Sequence, residues 1–373
     1  MLRKSLFALS LIATPAVYAD IVIGESVPTT GIAADTGKAL ALGASIYFGR
    51  INAQGGINGE PINLLTKDDG YNPIRTMANT QSLIDNDKAV ALIGYYGTQP
   101  MQELLNSKLL ETTGIPLVGA FTGADTVRNP GSPYFFQTRA GYSQEIEKIV
   151  ALLKDHLGVN RIAVVAQKDG FGQAGYTALK AELAKRNMQL AGEAWYDRVT
   201  GDTSEAATAM TKVNADAVIL IAISKPAATF LKKFRDQGGT SQVYGLSAIQ
   251  YDDVIRAVGK SSASGLGLSQ VFPAPTNAQL KVIRDFQKDA EPFLKADEYP
   301  TYALLEGYMS ARILVEALKR AGKNPTRASV YAALSNMKKY DLGGYTVDFS
   351  NPRRIGSNYV ELTMISPTGT LSR

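Results

Sequence analysis

Residues 89–105, AVALIGYYGTQPMQELL, carry the pattern that decides the fold. An apolar run ends in glycines and aromatics, and Thr98 and Pro100 then open a stretch of helical period. A Val/Ile/Leu run without polar alternation is the mark of a strand covered on both faces. Proline is tolerated in the first helical turn, where amide hydrogens lack partners, and a hydroxyl residue caps that end. Residues 216–233, DAVILIAISKPAATFLKK, repeat the layout, with Ser224 two places before Pro226. The echo predicts two lobes of related architecture. Both helices would start at the C-terminal edge of a parallel sheet, where ligands sit in open α/β folds.

Outward from these stretches the same rhythm continues. Strands are predicted at 21–24, 62–66, 89–94 and 115–119, with helices at 38–53, 73–87 and 99–112 between them. The rhythm restarts with helices at 142–156, 171–186, 204–213 and 225–237, and strands at 161–166, 190–196, 217–222 and 243–246. Alternating strands and helices mean parallel sheets with right-handed crossovers. Two sheets suit the length better than one of about nine strands. The C-terminal part reads as helices at 277–290, 301–321 and 326–337. A hairpin-like end follows, with strands 345–349 and 359–365 around the polar turn SNPRRIGSN.

Residues 1–19, MLRKSLFALSLIATPAVYA, read as a secretory signal: Arg3 and Lys4, an apolar run, and a small-residue site before Asp20. The run is far short of the roughly 20 apolar residues of a spanning helix. No cysteine follows the cleavage point to carry a lipid. The expectation is an exported, unanchored protein of a Gram-negative periplasm. The remaining chain is long enough for two domains with their own cores. A net charge of +5, which falls when Arg3 and Lys4 leave, and the absence of dense basic runs give nucleic acid no support as a partner.

The chain has no cysteine and one histidine, His156. That removes thiolate nucleophiles and sulfur-ligated metal, and His156 suits a helix C-terminus better than a catalytic role. Neither a catalytic residue nor a metal site is assigned. Gly170-Phe171-Gly172-Gln173-Ala174-Gly175 formally fits a dinucleotide fingerprint after the strand RIAVVA. Three residues separate strand from glycine, however, the motif lies mid-chain, and export disfavours a nicotinamide. No cofactor is expected; Asp169 would sit near the helix cap, and Phe171 could project into a cleft. The acid pairs Asp68-Asp69, Asp252-Asp253 and Asp297-Glu298 read as solvated or capping groups, since nothing aims two carboxylates at one bond.

Chemistry singles out 94–125. Gly94-Tyr95-Tyr96-Gly97-Thr98 offers aromatic walls and a hydroxyl at a helix start, where free amides favour a carboxylate. Phe121-Thr122-Gly123 offers the same on the next strand-end loop. Tyr95 and Tyr96 could equally do no more than pack the loops.

The segments INAQGGINGEPINLLTKDDGYNP, GIPLVGAFTGAD, RIAVVAQKDGFGQAG, DAVILIAIS and SGLGLSQVFPAP occur in the order found in leucine/isoleucine/valine-type periplasmic binding proteins of ABC transporters. The chain resembles that family over essentially its whole length after the signal. The resemblance implies a type I periplasmic binding protein fold: two Rossmann-like lobes with parallel-core sheets and a three-segment hinge. Its crossings would fall near Arg139, Gln270 and Tyr359. Lobe one would be 20–139 plus 271–358, and lobe two 140–270 plus 359–373. Thr98 matches the family's carboxylate-holding serine, Phe121, Thr122 and Gly123 its second binding loop, and Phe171 its lobe-two aromatic. The family's ammonium-binding glutamate falls on Ser247, and its lobe-one disulfide on Tyr71 and Gly97. Another acid must substitute, or the ligand is not an α-amino acid, because a buried ammonium without a carboxylate is costly.

The resulting expectation is a monomeric solute-binding protein, not an enzyme, that hands a small carboxylate-bearing ligand to an inner-membrane ABC permease. The ligand would be an amino acid, or an aromatic or aliphatic acid or amide. The expected ligand-binding residues are Tyr95, Tyr96, Thr98, Phe121, Thr122, Gly123, Tyr142, Phe171, Ser247 and Tyr251. A ligand-sensing module of a receptor is the alternative on the same fold, and an exported enzyme a weaker one.

Overall fold

The computed structural model describes residues 20–295 and 300–372. The expected signal at 1–19 and the Asp297-Glu298 pair lie outside them. The chain forms two main sheets. The first has the order β2-β1-β3-β4-β5, all parallel, from β1 (Ile21–Val27), β2 (Ile62–Asp68), β3 (Ala91–Ile93), β4 (Leu117–Val118) and β5 (Phe135–Phe136). The second contains β6 (Ile162–Gln167), β7 (Leu190–Tyr196), β8 (Ala217–Ile221), β9 (Gln242–Gly245) and β10 (Leu266–Gln270) in parallel, ordered β10-β9-β8-β6-β7. Beyond a two-stranded ribbon of β11 (Tyr340–Asp341) and β12 (Thr346–Val347), the chain returns to the second sheet. It adds β13 (Glu361–Ile365), antiparallel to β10, and β14 (Leu371–Ser372).

Both faces of each sheet are covered, as continuous apolar strands require. In β3, Leu92 packs into one core cluster while Ala91 and Ile93 enter another. In β6, Ala163 and Val165 face away from Ile162, Val164 and Ala166. On the first sheet, helix Ala34–Ala53 lies against helix Tyr302–Ala321. Glycines let the two approach closely: a Cβ on Gly43 would come within 2.0 Å of the Leu304 carbonyl oxygen, and one on Gly307 within 2.0 Å of that of Leu40. Each sheet with its helices makes one lobe.

Several local expectations are corrected. Thr98 and Ser224 do not cap their helices. The N-cap positions are Gly97 and Ile223, with no side-chain cap, and both hydroxyls point across to other elements. The 99–112 helix is broken at Lys108, whose φ of 58° is left-handed, into Thr98–Asn106 and Leu109–Thr113. The 142–156 helix turns to π geometry from Ala151 to His156, where His156 is exposed. The C-terminal hairpin does not form: β12 pairs with β11, whereas β13 joins the second sheet. The backbone between them, at Arg354 and Gly356, bonds Gln137 instead. Helix Tyr251–Ala263 and β5 also escaped the sequence reading. No helix among the described residues is long and apolar enough to cross a membrane.

Candidate ligand-binding site

The C-terminal ends of the first sheet and the strand–helix loops of the second meet in one buried cluster. Thr98 opens helix Thr98–Asn106, and its Oγ1 lies 2.8 Å from Thr122 Oγ1 on the loop after β4. The Tyr142 hydroxyl from the other lobe bonds both threonines. Tyr96 stacks on Phe121 with ring centroids 5.1 Å apart and planes 7° off parallel. Facing them, Tyr142 meets Phe171 at 5.4 Å. The Gly123 carbonyl accepts the Tyr142 amide at 2.7 Å, and a Cβ on Gly123 would come within 2.8 Å of the Tyr142 ring. Only glycine leaves room for that ring. Tyr96, Thr98, Phe121, Thr122, Tyr142 and Phe171 are all buried, so the lobes rest on one another. Burial raises the Tyr96 phenol far above its ordinary range and raises that of Tyr142, so both are hydrogen-bonding groups rather than charges. The Tyr96 hydroxyl has no partner.

One of the expected residues, Tyr95, stands apart. Tyr95 turns into lobe one, where its hydroxyl lies 2.9 Å from Thr80 Oγ1 in helix Pro73–Asp85. Neighbouring residues of an extended chain point to opposite sides, so Tyr96 reaches the cleft and Tyr95 does not. Tyr251 is half-buried, its ring 6.4 Å from that of Tyr302 in an edge arrangement.

Ser247 is buried and held by a charged cluster. Arg139 donates from Nη2 to Ser247 Oγ and from Nη1 to both carboxylate oxygens of Glu306, at 3.2 and 3.3 Å. Glu145 Oε2 accepts from the Ser247 amide at 2.8 Å and the Ser269 hydroxyl at 2.6 Å. Its Oε1 lies 3.8 Å from Arg139 Nη2 and has no hydrogen-bond partner. The guanidinium also sits over the Phe121 ring, 4.5 Å from its centroid. Burial pushes Glu306 up to about 7, with Arg139 pulling it down and Glu145 pushing it up. Burial works against the Arg139 charge, but the two glutamates outweigh it and keep the guanidinium ionised.

Tyr71 was read only as the place of a missing cysteine. It proves to be a clasp between the lobes. Gln167 Nε2 donates to its hydroxyl at 3.0 Å, the hydroxyl bonds Asp169 at 3.3 Å, and Arg198 Nη1 donates to its carbonyl at 3.0 Å. Its φ of 61° is unusual for a bulky side chain, and the surrounding bonds hold it there. A second clasp runs from Gln250, whose Oε1 accepts the Ala303 amide at 3.0 Å.

The glycines of the 170–175 motif serve packing. A Cβ on Gly172 would fall 1.7 Å from the Gln167 carbonyl oxygen, and one on Gly175 within 2.8 Å of Ile221. Asp169 caps the helix, accepting from the Phe171 and Gly172 amides at 2.9 and 3.1 Å. Those amides are therefore not open to a pyrophosphate. Asp68 is likewise structural, bound by the Thr29, Thr30 and Gly70 amides and by Arg75. Among the described residues, no group of three or more His, Asp or Glu is placed to hold a metal.

A periplasmic binding protein family model matches residues 20–370. An amino acid binding protein of Pseudomonas aeruginosa is 27% identical over 338 residues, covering 88% of this chain and 87% of its own. A Leu/Ile/Val-binding protein homolog of Brucella melitensis is 26% identical, covering 96% and 94%. The crystal structure of a substrate-binding periplasmic protein from Ralstonia solanacearum is 35% identical, with a TM-score of 0.90 over 94% of this chain and 99% of that one. The chain belongs to the periplasmic binding protein family. Its fold is the type I form, and its relatives are substrate-binding proteins rather than enzymes.

Proposed function

We propose that this chain is a periplasmic solute-binding protein that delivers a small carboxylate-bearing ligand to an inner-membrane ABC importer. Lobe one would be 20–139 with 271–358, and lobe two 140–270 with 359–373. The observation that carries this reading is the pair of threonine hydroxyls, Thr98 and Thr122, 2.8 Å apart at the start of a helix and walled by aromatics from both lobes. A helix start offers unpaired amides and a positive dipole end to a carboxylate. Tyr96, Phe121, Tyr142 and Phe171 suit an apolar or aromatic remainder, and lobe closure would bury it. The names of the Pseudomonas and Brucella relatives support an amino acid or a close analogue.

A thermal-shift panel tests this, pairing each amino acid with its des-amino acid and adding aromatic acids, short fatty acids and amides. A ligand that binds only the folded state raises the melting temperature by mass action. A preference for the amino acids favours Glu145 Oε1, which has no hydrogen-bond partner, as the ammonium acceptor. A preference for the des-amino acids assigns Arg139, lodged on Ser247, as the group that excludes an ammonium. A panel without any carboxylate hit overturns the proposed anchor.

A further inference from the structure

A groove of about 720 Å³ runs between the lobes on the outer side of the Tyr142–Phe171 pair. Ser143 and Gly170, the sequence neighbours of those aromatics, line it, whereas the aromatics themselves meet each other and Tyr142 bonds the threonines. The groove is thus separate from the aromatic cluster. Its volume is in the range that small-molecule sites occupy.

Arg128 is the unexplained group on its wall. The residue is 2% exposed, yet among the described residues no carboxylate forms an ion pair with it. Nη1 donates to the Arg139 carbonyl at 3.2 Å, and Nη2 is buried with no partner. The nearest charges do not settle it. Burial pushes its pKa down to about 10; Asp125 and Glu145 attract the charge from a distance, while Arg139 and Arg353 repel it, so burial prevails. Asp125, an exposed acid of the same groove, is engaged by the Ser143 hydroxyl at 3.0 Å. Glu182 is paired with Lys185 and Arg186. A second arginine, Arg353, lines the groove from the segment between β12 and β13 and forms no ion pair among the described residues. Buried charges are ordinarily paired, and a guanidinium with free donors matches a carboxylate or phosphate.

We infer that this groove binds a small organic anion bearing a carboxylate or phosphate, with Arg128 as its charge partner and Arg353 closing over it. The walls come from both lobes, so an anion seated there favours the arrangement in which the lobes meet. This site stands apart in space from the proposed carboxylate anchor at Thr98.

The test is calorimetric titration of the whole protein, in a low-chloride buffer, with inorganic phosphate and separately with citrate. Saturable binding of either is expected, and which one binds identifies the anion class. Arg128→Gln should weaken it at least tenfold and Arg353→Gln several-fold. Arg353 is exposed, so its variant tests the site even if Arg128→Gln fails to fold. No saturable binding of either anion up to roughly 10 mM overturns the inference. So does affinity that Arg353→Gln and a folded Arg128→Gln leave unaltered.

Discussion

Gln167 of lobe two donates a hydrogen bond to the Tyr71 hydroxyl of lobe one at 3.0 Å, joining the lobes beside the aromatic cluster. The bond exists only while the lobes meet, so it adds to the closed state alone. Tyr71→Phe should therefore weaken ligand binding by about 1 kcal/mol, the usual net worth of such a bond. The ring and its packing remain, so the melting temperature of the ligand-free protein should hardly move. Calorimetry on the best hit of the panel, with a thermal melt beside it, checks both halves.

Thr98→Ala should cost about 1–2 kcal/mol of ligand affinity through loss of one charge-assisted hydrogen bond. Thr122 keeps its hydroxyl, so binding is weakened rather than abolished. Unchanged affinity in isothermal titration would remove Thr98 from the carboxylate anchor.

Arg139 compensates two buried carboxylates, and removing it strands both. Arg139→Met should destabilise the fold by about 3–5 kcal/mol, the cost of breaking a buried pair from one side. Adding Glu306→Gln should recover part of that loss. Urea unfolding of the single and double variants measures the recovery, and its absence would mean that Arg139 and Glu306 act independently.

Glu25 is buried within β1, with Oε2 accepting from Thr66 at 2.7 Å and Oε1 without a hydrogen-bond partner. Burial, with Asp69 adding repulsion and Thr66 opposing it, raises its pKa from 4.5 to about 8. The folded state therefore holds a proton that the unfolded state releases near 4.5. The stability linked to that proton is fully present below pH 4.5 and is lost as pH rises toward 8. The loss is on the order of 3–5 kcal/mol. Glu25→Gln should flatten this slope between pH 5 and 8, gaining most at pH 8. Denaturant midpoints across that window give the comparison.

The parallel frame was legible because its strands are uninterrupted apolar runs, which few other contexts tolerate. Leucine 190 to tyrosine 196 and Ser204–Val213 were read to the residue. Helix Tyr251–Ala263 was not, because Gly259, at φ 78°, interrupts its period. The false hairpin came from treating neighbours in sequence as neighbours in space. β13 instead answers to the free edge of β10, and the polar stretch before it is held at Gln137. The threonines and aromatics of the site could be proposed from residue type and loop position. Arg139 and Tyr71 could not, since their roles lie in partners far along the chain. The signals that were present were a lone charge in the segment FQTRAG and a bulky residue directly after Gly70.

The Gly43–Leu304 and Gly307–Leu40 contacts also set an order of events in folding. Helix Ala34–Ala53 is among the first segments to be made, and its closest partner is among the last. Until Tyr302–Ala321 arrives, the outer side of helix Ala34–Ala53 lacks the partner it packs against. Such distant pairings close slowly, because a long loop must lose its freedom before the contact rewards it. The first lobe is thus completed late in the chain, whereas β6 to β10 of the second come from consecutive sequence.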